Sequence, residues 1–394
     1  QGFSDEQIDY FYHYLETENP DWLRGVVSGP GSPSLSDTRY RLPGKYMHRH
    51  YPDITHTVRC LYPTLRWDQA FALTLGREPV NPQPFYYAEL HDRYAPFTDG
   101  FLTYSDGAHD DLNKFVWSRK GWSMEEDAAG ITEQYVRFFF GAKPDDRVTD
   151  AILGLERNWD GPIEVNGGIE MTFLRWRQLE EAYPRLQSDW RWQMLLLRAY
   201  YDTYTKRRKL FEQRLEREAG KLLGKVSEMG AAGAMKQALE KVNEADRVNI
   251  APSLRKKIDD YCDALYKSVG LQTSVEKYQA SGAERGCVLD FADYPLNNRW
   301  WLSDRFEKIG QMETEAEKLA ALEVIARWEN PGKGSYYDNI SDISRSPRVK
   351  TTVYDAADVA WWDGGMSRKR LSTQLFQNFP KLLLKPLITL IQFI

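Results

Sequence analysis

From residue 124 to about residue 328 the apolar residues recur at three- and four-residue steps almost without a break, and nothing else in the sequence constrains the fold as much. Trp190, Met194, Leu197, Tyr201 and Tyr204, then Leu210, Phe211 and Leu215, trace the apolar stripe of one long amphipathic helix. The small-residue break Gly230-Ala231-Ala232-Gly233 separates it from further helices, of which residues 253–269 are the clearest. Such a run predicts bundle packing over residues 121–330. Lys206-Arg207-Arg208-Lys209 is followed by Glu212, Glu216 and Glu218, a mixture of signs that reads as a solvated helix face.

The first 120 residues have a different grain, with strand-like and helix-like segments in alternation. A helix over residues 5–16 precedes the short apolar strand Trp22-Leu23-Arg24-Gly25-Val26-Val27-Ser28. An extended stretch over residues 46–56 precedes helices at 67–77 and 85–94, and Phe101-Leu102-Thr103-Tyr104 forms a third strand before a helix at 110–118. Three strand-then-helix units predict an α/β class: the C-terminal part of a (β/α)8 TIM-like barrel, followed by a mostly α-helical bundle domain. Barrels of that kind take roughly 250 residues, so its beginning is expected upstream. An open doubly wound sheet fits the same pattern, although no GxGxxG or P-loop favours nucleotide binding. Residues 331–381 read as the start of a β-sandwich domain. The almost purely aliphatic residues 382–394 read as an aberrant tail, too short for a membrane span and interrupted by Pro386.

Charge and cysteine content exclude several classes. With 52 Lys and Arg against 57 Asp and Glu the chain lacks the concentrated basic surface of a nucleic-acid protein. Cys60, Cys262 and Cys287 are too scattered for a disulfide framework or a CxxC metal site. Aromatic content of 13% suits thick helical cores and sugar-stacking surfaces alike.

All six histidines lie at or before position 109, so acid–base chemistry is concentrated in the first third. His48, His50, Asp53 and His56 cluster around one predicted strand, and Asp106, His109, Asp110 and Asp111 follow another. Sites on barrels are built at the C-terminal ends of strands, where both clusters fall. In one reading the carboxylates and imidazoles bond sugar hydroxyls, with Tyr51, Tyr104 or Trp117 as an apolar platform. The candidate substrate contacts are then His50, Asp53, His56, Tyr104, Asp106, His109 and Asp110. In the other, His48 and His50 share a strand face and join His56 and Asp106 around a hydrolytic metal. Asp110 and Asp111 also read as the cap and first-turn acid of the helix that follows.

The strings Asp53-Ile54-Thr55-His56, Gly76-Arg77-Glu78 and Asn81-Pro82-Gln83-Pro84, and above all the segment Gly100-Phe101-Leu102-Thr103-Tyr104-Ser105-Asp106-Gly107-Ala108-His109-Asp110-Asp111-Leu112-Asn113-Lys114, resemble bacterial proteins related to glycoside hydrolases. With Tyr135-Val136-Arg137-Phe138-Phe139-Phe140-Gly141, they are similar to the barrel exit of the broad hexosaminidase and α-glucuronidase-like group. The resemblance runs from residue 1 to about 330. It implies a hydrolase of glycosidic bonds, with a glycan as substrate, no cofactor or metal, and a helical domain packed behind the barrel. Its acid–base carboxylates would sit on earlier strands, so this stretch alone is expected to be inactive. Asp106 is the preferred substrate contact. The alternatives are a metal-dependent hydrolase and a noncatalytic carbohydrate-binding protein.

Because the composition of residues 382–394 breaks with all that precedes it, deleting them should leave the melting temperature unchanged. About 1 kcal/mol shifts a large domain by roughly 2–4 °C, so a loss of several degrees in a thermal scan would show that the tail belongs to a core.

Overall fold

The computed structural model describes residues 3–52, 54, 62, 67–75, 81–103, 110–141, 146–280 and 288–327. The predicted β-sandwich start and the apolar tail lie outside the described residues. Helix α1 (Asp5–Thr17) begins with a capping box, in which the Ser4 hydroxyl accepts from the Gln7 N–H and the Gln7 side chain accepts from the Ser4 N–H. Strand β1 (Gly25–Ser28), α2 (Leu35–Arg41), β2 (Met47–His50), α3 (Gln69–Leu75), α4 (Pro84–Tyr94), β3 (Gly100–Phe101) and α5 (Asp110–Trp122) follow. The three strands form one sheet in the order β1-β2-β3, parallel throughout, with Val26 opposite His48 and His50 opposite both Ser28 and Phe101.

After these, helices succeed one another: α6 (Ala128–Phe140), α7 (Asp146–Arg157), α8 (Gly168–Ala182), α9 (Trp190–Leu223), α10 (Val226–Met229), α11 (Ala231–Val242), α12 (Pro252–Val269), α13 (Val275–Tyr278), α14 (Val288–Ala292), α15 (Arg299–Gly310) and α16 (Glu315–Arg327). Among the described residues no helix is long and apolar enough to cross a membrane.

The expected α/β class and (β/α)8 TIM-like barrel are therefore corrected. The described chain is mostly α-helical, with one small three-stranded parallel sheet. The segments expected to be strands do form strands. They shorten to two or four residues, however, and their order ends at two sheet edges rather than closing. Strand–helix alternation reports a local unit, and the number of units that join is a non-local property that the pattern does not carry.

The axle of the molecule is α9, 34 residues long, with Asp189 as its N-cap accepting from the Arg191 and Trp192 N–H groups. Helices α8, α11, α12 and α3 all pack on it. Its first half supplies Trp192, Leu195, Leu196 and Tyr201 to the main core, together with Phe71, Ile152, Trp176 and Ile258 from the surrounding helices. Its last turns supply Ala219 and Leu223 to a second apolar cluster with Ala234, Trp301 and Phe306.

Between these two cores the helix is buried but polar. Lys206, Arg208, Lys209 and Glu212 are all buried, so the basic run is not the solvated face its composition predicts. The Glu212 carboxylate accepts from Arg208 (2.5 Å), from Arg299 (2.7 Å) and from the Leu296 N–H (2.8 Å). The Arg208 guanidinium also donates to the carbonyl oxygens of Ala292 (2.6 Å) and Tyr294 (2.9 Å). Arg208 and Glu212 can leave water here because each has several partners of opposite polarity, while Lys206 donates to the Asn166 carbonyl oxygen and Lys209 pairs with Glu164.

Helix α4 shows the same non-local logic. Pro84 opens it and no side chain of its own caps it; instead, Glu156 of α7 accepts from the Phe85 and Tyr86 N–H groups, both at 2.9 Å. Burial pushes the Glu156 carboxyl up to about 7 against those two bonds.

Removing Glu212 strands two buried guanidinium groups. Glu212→Ala should cost about 3–5 kcal/mol in urea unfolding. Glu89→Ala, which breaks only an exposed i,i+4 pair with Arg93, should cost roughly 0.5 kcal/mol or less. Equal losses for the two variants would refute the account of the buried network.

Candidate functional site

Strand alternation puts His48 and His50 on one face of β2, with Met47 and Arg49 on the other, as the spacing predicts. That face is turned into the protein: both imidazoles are buried.

His48 is held by every polar atom it has. Its Nδ1 lies 2.9 Å from the Phe97 carbonyl oxygen, which can only accept, so Nδ1 carries the proton. Nε2 is left to accept from the Ser28 hydroxyl at 2.8 Å, and the backbone N–H donates to Asp99 at 2.8 Å. Burial lowers the pKa of the ring, outweighing the Phe97 carbonyl. With both nitrogens engaged inside the fold, His48 has no lone pair to give a metal. Among the described residues no group of three or more His, Cys, Asp or Glu side chains could hold one.

His50 closes the C-terminal end of β2. Its Nε2 is 3.1 Å from the Tyr62 hydroxyl, and the rings of Tyr62, Trp117 and Tyr94 stand edge-on to it at centroid distances of 5.9, 5.8 and 6.2 Å. Burial pushes the pKa of the imidazole down to about 4, helped by the neighbouring His48 and His91. His91 of α4 completes the group, edge-on to Trp117 at 5.3 Å and to Phe101 at 6.2 Å, with Nδ1 3.3 Å from the Asp92 carboxylate. Burial lowers its pKa too, against the pull of Asp92. Gly121 of α5 makes this packing possible, since a Cβ there would lie 2.4 Å from the Phe101 ring.

Of the residues predicted to contact substrate, the structure describes His50 and Asp110. Asp53, His56, Tyr104, Asp106 and His109 lie outside the described residues. Asp110 is the first residue of α5, a first-turn acid beside Asp111 rather than the cap its reading predicts, and is buried at 1% exposure. Trp117, a predicted platform, is equally buried and forms part of the floor. The pairing of His50 with Phe101 does bring the exits of β2 and β3 together, and both exits lead directly into the segments that carry the remaining candidates.

Sequence reasoning placed Asp111 in an acidic cluster at the start of α5 but missed its partners. Asp111 accepts from the Tyr135 hydroxyl at 2.7 Å and from Arg191 Nε at 2.6 Å, joining α5, α6 and α9. Burial raises the pKa of Tyr135, with Asp111 adding to the effect. No local spacing signals a contact between residues 80 positions apart. Compared with protein-family models, with curated proteins and with solved structures, the chain matches none of them.

The buried imidazole sets a pH window. Its folded-state pKa is about 4, below the 6.5 of an unperturbed histidine, so the stability it contributes is complete above 6.5 and is lost as pH falls through 4. Denaturant titrations between pH 7 and 4 should show a loss of roughly 3 kcal/mol from this group. His50→Gln should remove that part of the slope; an unchanged slope in the variant would assign the acid sensitivity to other groups.

Proposed function

We propose that the chain is part of a glycoside hydrolase that receives its glycan over the rim where β2 and β3 end. The observation that carries this reading is the register of His50 against Phe101, which sets two strand exits side by side. Ligands of parallel sheets gather at the carboxyl ends of the strands. The residues that follow these exits, Asp53, His56, Tyr104, Asp106 and His109, are the types that bond sugar hydroxyls and stack on sugar rings.

The packed imidazoles and Trp117 form the floor beneath this rim and hold it in place. They do not themselves meet the sugar: His50 is 2% exposed and its Nε2 already lies beside the Tyr62 hydroxyl. Glycosidic cleavage needs a pair of carboxyl groups flanking the bond, and the buried Asp110 is assigned to neither place in that pair. The metal-dependent alternative loses support because His48, one of its intended ligands, has both ring nitrogens engaged.

The test is retention of the intact chain by a panel of soluble polysaccharides in affinity electrophoresis, with released reducing ends assayed alongside. Asp106→Ala should weaken retention at least tenfold while the circular dichroism spectrum stays unchanged. Retention without reducing ends would indicate binding alone. No retention by any polysaccharide, or full retention by the variant, would overturn the assignment.

A further inference from the structure

The guanidinium of Arg191 rests over two aromatic rings, with its central carbon 3.8 Å from the Phe139 centroid and 4.0 Å from that of Trp190. Its Nε donates to Asp111, which fixes the rotation of the fork in its own plane. Among the described residues neither terminal nitrogen, Nη1 nor Nη2, has a hydrogen-bond partner. The side chain is not closed off from solvent: 22% of its surface is exposed. An arginine usually loses much rotamer freedom when it binds, whereas this one has already lost it to the rings and to Asp111.

We propose that the Nη edge of Arg191 is a receptor for an oxyanion of the phosphate or sulfate type. Two parallel N–H donors match two oxygens of one such group. Their geometry is set by α5, α6 and α9 rather than by a loop, which favours precise binding. The Asp111 carboxylate compensates part of the charge, and Oδ1 of Asp189 accepts from the Arg191 and Trp192 N–H groups. The exposed ring of Phe138, packed edge-on against Phe139, offers an apolar flank to the carbon skeleton that would carry the anion. The inference uses only helical residues and is independent of the glycan reading.

Calorimetric titration of the intact chain with inorganic phosphate, sulfate and acetate, at ionic strength held constant with sodium chloride, tests it. Phosphate or sulfate should bind saturably. Arg191→Lys, which keeps the charge and loses the fork, should weaken binding at least tenfold. Asp111→Asn removes a competing negative charge and should strengthen binding severalfold, giving a second readout if the lysine variant is poorly folded. Preference for acetate over phosphate and sulfate would overturn the assignment of the anion. A response reproduced by chloride alone, or an affinity unchanged in both variants, would overturn the proposal.

Discussion

The buried contact between α9 and the segment leading into α15 joins the two cores of the helical part, for that segment runs from Leu296 in the main core to Trp301 in the second. A 34-residue helix cannot be stabilised by one apolar stripe when it must serve two separate cores. Between those cores lies the Arg208–Glu212–Arg299 triad, which fastens the carbonyls of Ala292 and Tyr294 and the N–H of Leu296 to the helix. Apolar contact alone would let this segment slide, because hydrophobic burial is non-directional. Bonds to named backbone atoms fix its position.

The candidate site obeys the same economy of buried polarity on a smaller scale. His48 and His50 come from a strand whose alternation sends both rings inward, and each ring nitrogen with an identified partner meets a hydroxyl or a carbonyl rather than a charge. The result is a neutral, aromatic floor under the ends of β2 and β3. It is suited to positioning the chain above it and poorly suited to proton transfer near neutral pH, since the imidazole of His50 takes up a proton only near pH 4.

Much of the local structure was legible in the sequence, for physical reasons that also explain the failures. The run from Trp190 and the start of α5 at Asp110 follow from periodicity and first-turn acids, which are properties of neighbours in the chain. The shared face of His48 and His50 follows from strand geometry. The barrel did not follow, because three local units say nothing of how many more would join them. Lys206 to Lys209 misled because charge in a helix is usually solvated, and its burial is made tolerable by partners mostly distant in sequence: the Asn166 carbonyl for Lys206, Glu164 for Lys209, and for Arg208 the nearby Glu212 together with carbonyls some 85 residues away. The Asp111–Arg191 contact and the capping of α4 by Glu156 were invisible for the same reason: each partner is ordinary in its own stretch of sequence.

Helix α9 has a mechanical consequence. At 1.5 Å per residue its 34 residues make a rod of about 50 Å. One end carries Trp190 and Arg191, and the other is embedded in the cluster around Trp301 and Phe306. The smaller cluster buries less apolar surface, and local opening begins where such contacts are fewest. Amide protons of α11, α15 and α16 are thus expected to exchange with solvent before those of α7, α8 and α12. The helix would fray from its C-terminal end toward the charged triad, which acts as the stop beyond which opening becomes global.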